Sequence, residues 1–323
     1  MSEREKIGWL KIAALFALAL AASAGYMLVN SHMGNTRLFA YAMRLRTPRL
    51  IAMILTAYAI GSASMVFQSI INNTIVTPCL LGMNSLYTLV HTSIVFILGA
   101  SSAFASSANL AFGVDLIVMS IASAIIYGYF FSKTRGNVLY ILLIGTVLTS
   151  LFSSVQNTLT RVMDPNEYDT LLATLVASFD RVQADILAPA AILLFVIAFA
   201  LRRELSLLDV LTLGKNQAIN LGVDYDSAVK KLLLGVALYI AVATALVGPI
   251  SFLGLIIANL SRQLLHTFRH SQLVAGSVVF GLIALIGGQL LVEHVYNYSV
   301  PVSVFITVSG GGYFLYLLLR KRA

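Results

Sequence analysis

Long apolar runs dominate the chain and are broken by short polar connections. The runs are about 18–24 residues long and lack period-2 alternation, so they predict membrane-spanning helices rather than barrel strands. Spans fall near 7–28, 50–71, 80–100, 111–131, 137–160, 187–203, 230–248, 250–266, 272–292 and 301–319, the eighth being short. Ten spans put both termini on one side. Two connections are longer than the rest. One, 161–185, carries Asp164, Glu167, Asp169, Asp180 and Asp185. The other, 202–231, is polar and helix-like, with Gly214 and Gly222 as turn or cap positions. It reads as a short helix on the lipid surface or as a knob for a groove in a partner. It lacks the large apolar face that the first role needs.

Composition sharpens this picture. The chain is 59% apolar and 11% charged, against about 25% charged in soluble domains. It cannot cover a water-facing surface, which makes it an all-α polytopic membrane protein with one domain over 1–323. The first run is too long for a signal-peptide core and lacks a clean cleavage site, so it is expected to stay as a span. Cys79 has no partner for an internal disulfide, and no Cys/His spacing matches a metal site. There is no nucleotide-binding loop.

The net charge of +8 follows from topology and does not point to nucleic acid. With a cytoplasmic N-terminus, 15 of the 21 Lys and Arg residues fall inside or at the inner interface, as the positive-inside bias requires. The six outside are Arg37, Arg44, Arg46, Arg49, Arg161 and Arg181. Four of these cluster in "RLFAYAMRLRTPR", which reads either as interfacial anchors or as a docking patch for an acidic partner outside.

Polar residues inside the spans suggest a path. In "GTVLTSLFSSVQNTLTR", Thr146, Thr149, Ser150, Ser153, Ser154 and Asn157 recur at helical spacing on one face. Such a stripe lines a polar path or hydrogen-bonds neighbouring helices. The second span has a similar face, with Gln68 as its most costly buried group. Asp115 and Glu293 are expected near span ends, leaving no carboxylate in mid-membrane, which argues against ion coupling.

Five segments stand in order along nearly the whole chain: "RTPR", "GSASMVFQSIINNTIVTPCLLG", "LTLGKNQAINLGVD", "VGPISFLGLIIANLSR" and "VPVSVFITVSGGGYFLYLLLR". Together they resemble motifs of the FecCD-type permeases, the type II ABC importers of iron siderophores and vitamin B12. The third matches their coupling segment at Leu211, Leu213, Gly214, Ala218, Leu221 and Gly222. The departures are Asn73-Thr74 for N-P, Ala258-Asn259 for P-H, Gly310-Gly311-Gly312 for G-x-P, and Gly288 and Val292 where an acid and an arginine are usual. Such departures, and "NNTIVTPCLLGMNSLY", resemble one half of a heterodimeric pair for catecholate-type siderophores.

The resemblance implies a multi-pass permease of the bacterial cytoplasmic (inner) membrane, with both termini inside. It would import a ferric siderophore, or another chelate such as haem or vitamin B12. The rival reading is a carrier working alone. As partners the resemblance implies an ABC ATPase dimer, a second homologous permease (the same chain in a homodimer) and a siderophore-binding protein. It implies no cofactor on this chain and no catalysis by it, with ATP and Mg on the ATPase. Arg46 and Arg49 would meet the binding protein. Gln68, Thr146, Thr149, Ser150, Ser153 and Asn157 would line the path. The segment 204–229 would couple to the ATPase through Leu213, Gly214, Ala218, Leu221 and Gly222.

Overall fold

A computed structural model describes residues 3–29, 36–100, 102, 107–130, 133 and 138–320. The bases Arg135, Lys321 and Arg322, counted above toward the inner side, and positions 131 and 137 at predicted span ends, lie outside the described residues. Among the described residues the regular structure is helical: α1 (Glu3–Leu28), α2 (Thr36–Ile71), α3 (Met83–Leu98), α4 (Ala108–Ser123, continued by a π-helical stretch Ala124–Phe130), α5 (Val138–Val162), α6 (Pro165–Leu175), α7 (Leu187–Ala200), α8 (Arg202–Ser206), α9 (Leu208–Leu211), α10 (Lys215–Asn220), α11 (Tyr225–Val247), α12 (Leu253–Leu265), α13 (His270–His294) and α14 (Val302–Arg320). Helices α1, α2, α4, α5, α11 and α13 are long and apolar enough to cross a membrane, while α3, α7, α12 and α14 are apolar but shorter.

The core is α2, with α11 and α13 packed against it. Every residue of α2 from Ala59 to Ile70 is buried, and small side chains let its neighbours approach. At Gly61 a Cβ would stand 3.0 Å from the Val278 backbone, so α2 and α13 meet there almost backbone to backbone. Ser277 Oγ seals the contact by donating to the Gly61 carbonyl at 3.0 Å.

The bundle has two distinct ends. One carries α8–α10, residues 72–74 and the start of α13, and Gln272 Nε2 ties α1 to it through the Glu5 carbonyl at 2.9 Å. The other carries α6 and the 176–186 segment, closed by Ser303 Oγ donating to the Ala177 carbonyl at 3.1 Å.

Three features depart from the sequence pattern. Helix α2 is 36 residues long, so the arginine-rich stretch is its first part and not a connection. Pro48 removes one rung there without ending the helix. Helix α6 occupies part of the expected acidic connection: Pro165 starts it and Asp164 caps it, accepting from the Asn166 amide at 2.8 Å. Asp115 is not at a span end; it lies about two turns into α4.

Candidate functional site

At the α6 end, the predicted docking arginines are turned inward. Arg46 donates to the Tyr26 carbonyl at 2.8 Å and lies 3.6 Å from Glu293 Oε2. Arg49 stands 3.2 Å from Asp180 and 3.5 Å from Glu293 Oε1. Their side chains are 12% and 17% exposed, and that of Glu293 only 3%. Tyr26 Oη donates to Glu293 at 2.9 Å, and Gln289 Nε2 reaches both Glu293 and Asp180 at 3.2 and 3.1 Å. The guanidinium groups also lie over rings, Arg46 on Tyr26 and Arg49 on Tyr298. Two cations therefore face two carboxylates, in a set that ties α1, α2, α13 and the 176–186 segment together. Burial raises the Asp180 pKa above the usual carboxylate range, although Arg49 pulls it the other way. Beside the cluster opens a groove of 810 Å³ lined by Tyr41, Arg46, Arg49, Asp180, Arg181 and Tyr298, among others.

The hydroxyl stripe on α5 is split. Helix α5 is covered by α3 and the 78–81 turn on one side. Thr149 and Ser153 face that side: Thr149 Oγ1 bonds back to the Gly145 carbonyl at 2.8 Å and Ser153 Oγ meets Ser85 Oγ at 3.3 Å. Thr146, Ser150, Ser154 and Asn157 are exposed, next to the exposed apolar Val147, Leu151 and Val155. The open face of α5 thus has a polar and an apolar half.

The opposite end carries the segment from α8 to α10. Leu208, Leu211 and Ala218 are buried and anchor it. Gly214 (φ +101°) and Gly222 (φ +81°) flank α10 in conformations that a side chain would strain. Beside these anchors Leu213, Ile219 and Leu221 are exposed, so apolar side chains project from a firmly seated turn. Lys215 pairs with Asp226 at 2.8 Å, and Lys231 holds Glu204 at 2.9 Å. Burial opposes ionisation of Glu204, but the bond from Lys231 prevails and its pKa is lowered. Gln68, predicted for the path, lies at this end of α2, in the wall of a cavity shared with Asp209, Leu213 and Arg262.

Sequence reasoning missed several residues. Asp180 and Glu293 showed only as acids of a connection and of a span end, and Tyr26 gave no signal, because all three reach the arginines across gaps in sequence. Asp115 is 1% exposed and takes a hydrogen-bonded contact of 2.8 Å with His91 Nε2, so a buried acid–histidine pair does exist inside the bundle. A His and an Asp two turns into neighbouring spans was the readable sign. Among the described residues no cluster of three or more His, Cys, Asp or Glu could hold a metal.

The chain is similar to known proteins over nearly its whole length. The model of the FecCD transport family matches residues 9–320. The petrobactin import system permease protein YclO of Bacillus subtilis (strain 168) is 40% identical over 312 residues, covering 97% of this chain and 98% of its own. The petrobactin import system permease protein FatC of Bacillus anthracis is 34% identical, covering 98% and 89%. A solved inward-facing ABC transporter described as of metal-chelate type superposes with a TM-score of 0.81 over 95% of this chain and 98% of its own, at 20% identity, and so shares the fold. The chain belongs to the FecCD transport family.

Proposed function

We propose that this chain is one permease of an ABC importer that carries a ferric siderophore across the bacterial cytoplasmic membrane. It is a transport subunit and not a catalyst; ATP hydrolysis, with its Mg, belongs to a separate ATPase dimer. The observation that carries this reading is the α8–α10 segment, where buried Leu208, Leu211 and Ala218 hold an exposed Leu213, Ile219 and Leu221 beyond the bundle end. Exposed apolar side chains on a firmly seated turn suit a groove in a second protein, and here that protein is the ATPase. Both termini then lie in the cytoplasm, the ten apolar helices all cross, and the α6 end faces a binding protein.

Two permeases enclose the path. The polar half of α5, Thr146, Ser150 and Asn157, faces the passing chelate, while Val147, Leu151 and Val155 meet lipid or the second permease. That second permease is a different, homologous chain, consistent with Val292 standing where an arginine is usual. Arg46 and Arg49 contribute to docking by holding the α6 end in shape, and they meet carboxylates of the binding protein only where these compete with Glu293 and Asp180. A catecholate-type siderophore is the cargo that the relatives' petrobactin systems and the 72–87 sequence favour.

The test is uptake of radio-iron by cells lacking this chain. Loss of ferric catecholate uptake, restored by the intact gene, is expected. Unchanged catecholate uptake with lost haem or vitamin B12 uptake would replace the cargo. Uptake that collapses with the proton gradient while ATP is maintained would favour a lone carrier working through His91 and Asp115.

A further inference from the structure

Gln68 and Arg262 belong to two different sequence motifs, 194 positions apart, yet both line one cavity of 420 Å³ between the α2 end, the α9–α10 turn and the α12–α13 connection. Their polar groups are left incomplete. Gln68 is 1% exposed, and neither its amide nitrogen nor its oxygen has a hydrogen-bond partner. Arg262 gives one Nη2 bond to Ser69 Oγ at 2.9 Å, while its Nε is buried and unpartnered. Asp209, the acid in the lining, is held by His270, through Nδ1 at 2.6 Å and the backbone amide at 2.9 Å. Among the described residues no carboxylate pairs with Arg262, whereas Arg46 and Arg49 pair with two.

A guanidinium partly withdrawn from water without a counter-charge is costly, and so is an unpaired buried amide. Native structures rarely tolerate both in one cavity unless water or an ion fills the gap. The planar fork of Arg262 suits a carboxylate or phosphate oxygen pair, with the Gln68 amide as a further donor. The cavity is wide enough for a small oxyanion with some of its water.

We propose that this cavity is an oxyanion site, in which Arg262 and Gln68 bind a phosphate or carboxylate group between the spans and the coupling turn. The occupant spans the joint: Ser69 and Gln68 belong to α2, Leu213 to the turn, Arg262 to α12. Its presence stiffens the link through which the turn moves the spans. Two sources have the right chemistry. One is inorganic phosphate, released by hydrolysis on the face that meets the ATPase. The other is an acidic side chain of the ATPase itself. This deepens the importer reading and rests on it for the source of the anion, but not for the site.

The experiment is equilibrium binding of radiolabelled inorganic phosphate to the purified whole importer in nanodiscs, with sulfate as competitor. One phosphate per copy of this chain, weakened about tenfold or more by Arg262→Gln and by Gln68→Leu, supports the free-ion form. No phosphate binding, with Arg262→Gln weakening ATPase association about tenfold at low salt, supports the side-chain form. The absence of both effects overturns the proposal. Gln68→Leu leaves the charge unchanged and decides the matter if Arg262→Gln does not assemble. Intact phosphate binding in a transporter that moves no ferric chelate would count against the cargo alone.

Discussion

Two arginine sites at opposite ends of the bundle are finished in different ways. At the α6 end Arg46 and Arg49 face Glu293 and Asp180, two charges against two, with Tyr26, Gln289 and Tyr298 satisfying much of the remainder. At the α8–α10 end, among the described residues, Arg262 has no paired carboxylate and the Gln68 amide no hydrogen-bond partner, and Leu213, Leu221 and Phe268 stand in the open. The first charge set is paired within one chain. The second site leaves polar groups unpartnered beside exposed apolar ones. A closed charge set holds shape, and its members are poorly available to a newcomer, because breaking a buried pair leaves the abandoned charge unpaired. An open set invites a partner, and that asymmetry is what a subunit driven from one side requires.

The most damaging way to break this contrast is Glu293→Leu. It strips both arginines of a shared carboxylate and should cost about 3–5 kcal/mol, read as a lower melting temperature in detergent; an unchanged melting temperature would mean that Asp180 and water suffice. Obstructing the open end comes next. Gly222→Trp forces a bulky side chain into a positive-φ turn on the exposed face, and ATPase association should weaken about tenfold while the isolated permease keeps its helix content. Normal association would move the dock elsewhere.

The α5 stripe gives a finer comparison. Ser150→Phe places a ring on the open face and should reduce uptake several-fold with assembly intact. Ser153→Phe instead strikes Ser85 on α3 and should lower stability. Equal effects on uptake and stability for both would erase the division of α5 into covered and open faces. The smallest effect belongs to the Glu204–Lys231 pair. The folded pKa of Glu204 is depressed, so its stabilisation is present above the usual Glu range and is lost as pH falls through the lower folded value. Acid should therefore loosen the α8–α10 segment slightly in hydrogen exchange, and Glu204→Gln should flatten that dependence.

Much of the scaffold was legible because a span is a local property. The apolar runs located the six long apolar helices and the four shorter ones, α12 included, and the glycine positions located α10. Helix α2 was underestimated because its first turns carry arginines and Pro48, which read as connection while tertiary bonds keep them helical. Helix α6 was foreshadowed by Asp164-Pro165, a start signal easily lost in an acidic stretch. The sites were less legible. Spacing showed the α5 face but not that α3 would cover half of it. Nothing in the order of residues joins Arg49 to Glu293, or Gln68 to Arg262; those meetings depend on how α2, α12 and α13 cross. The arginines were visible as charges, but whether each was paired depended on residues far along the chain.

The most direct measurement is gentle affinity purification of this chain from native membranes, followed by mass spectrometry of the proteins that accompany it. The account predicts an ABC ATPase together with a second, homologous permease, and with Gly222→Trp the ATPase is lost while the second permease is retained. Recovery of the chain without any ATPase, in a detergent that keeps other ABC complexes whole, would contradict it.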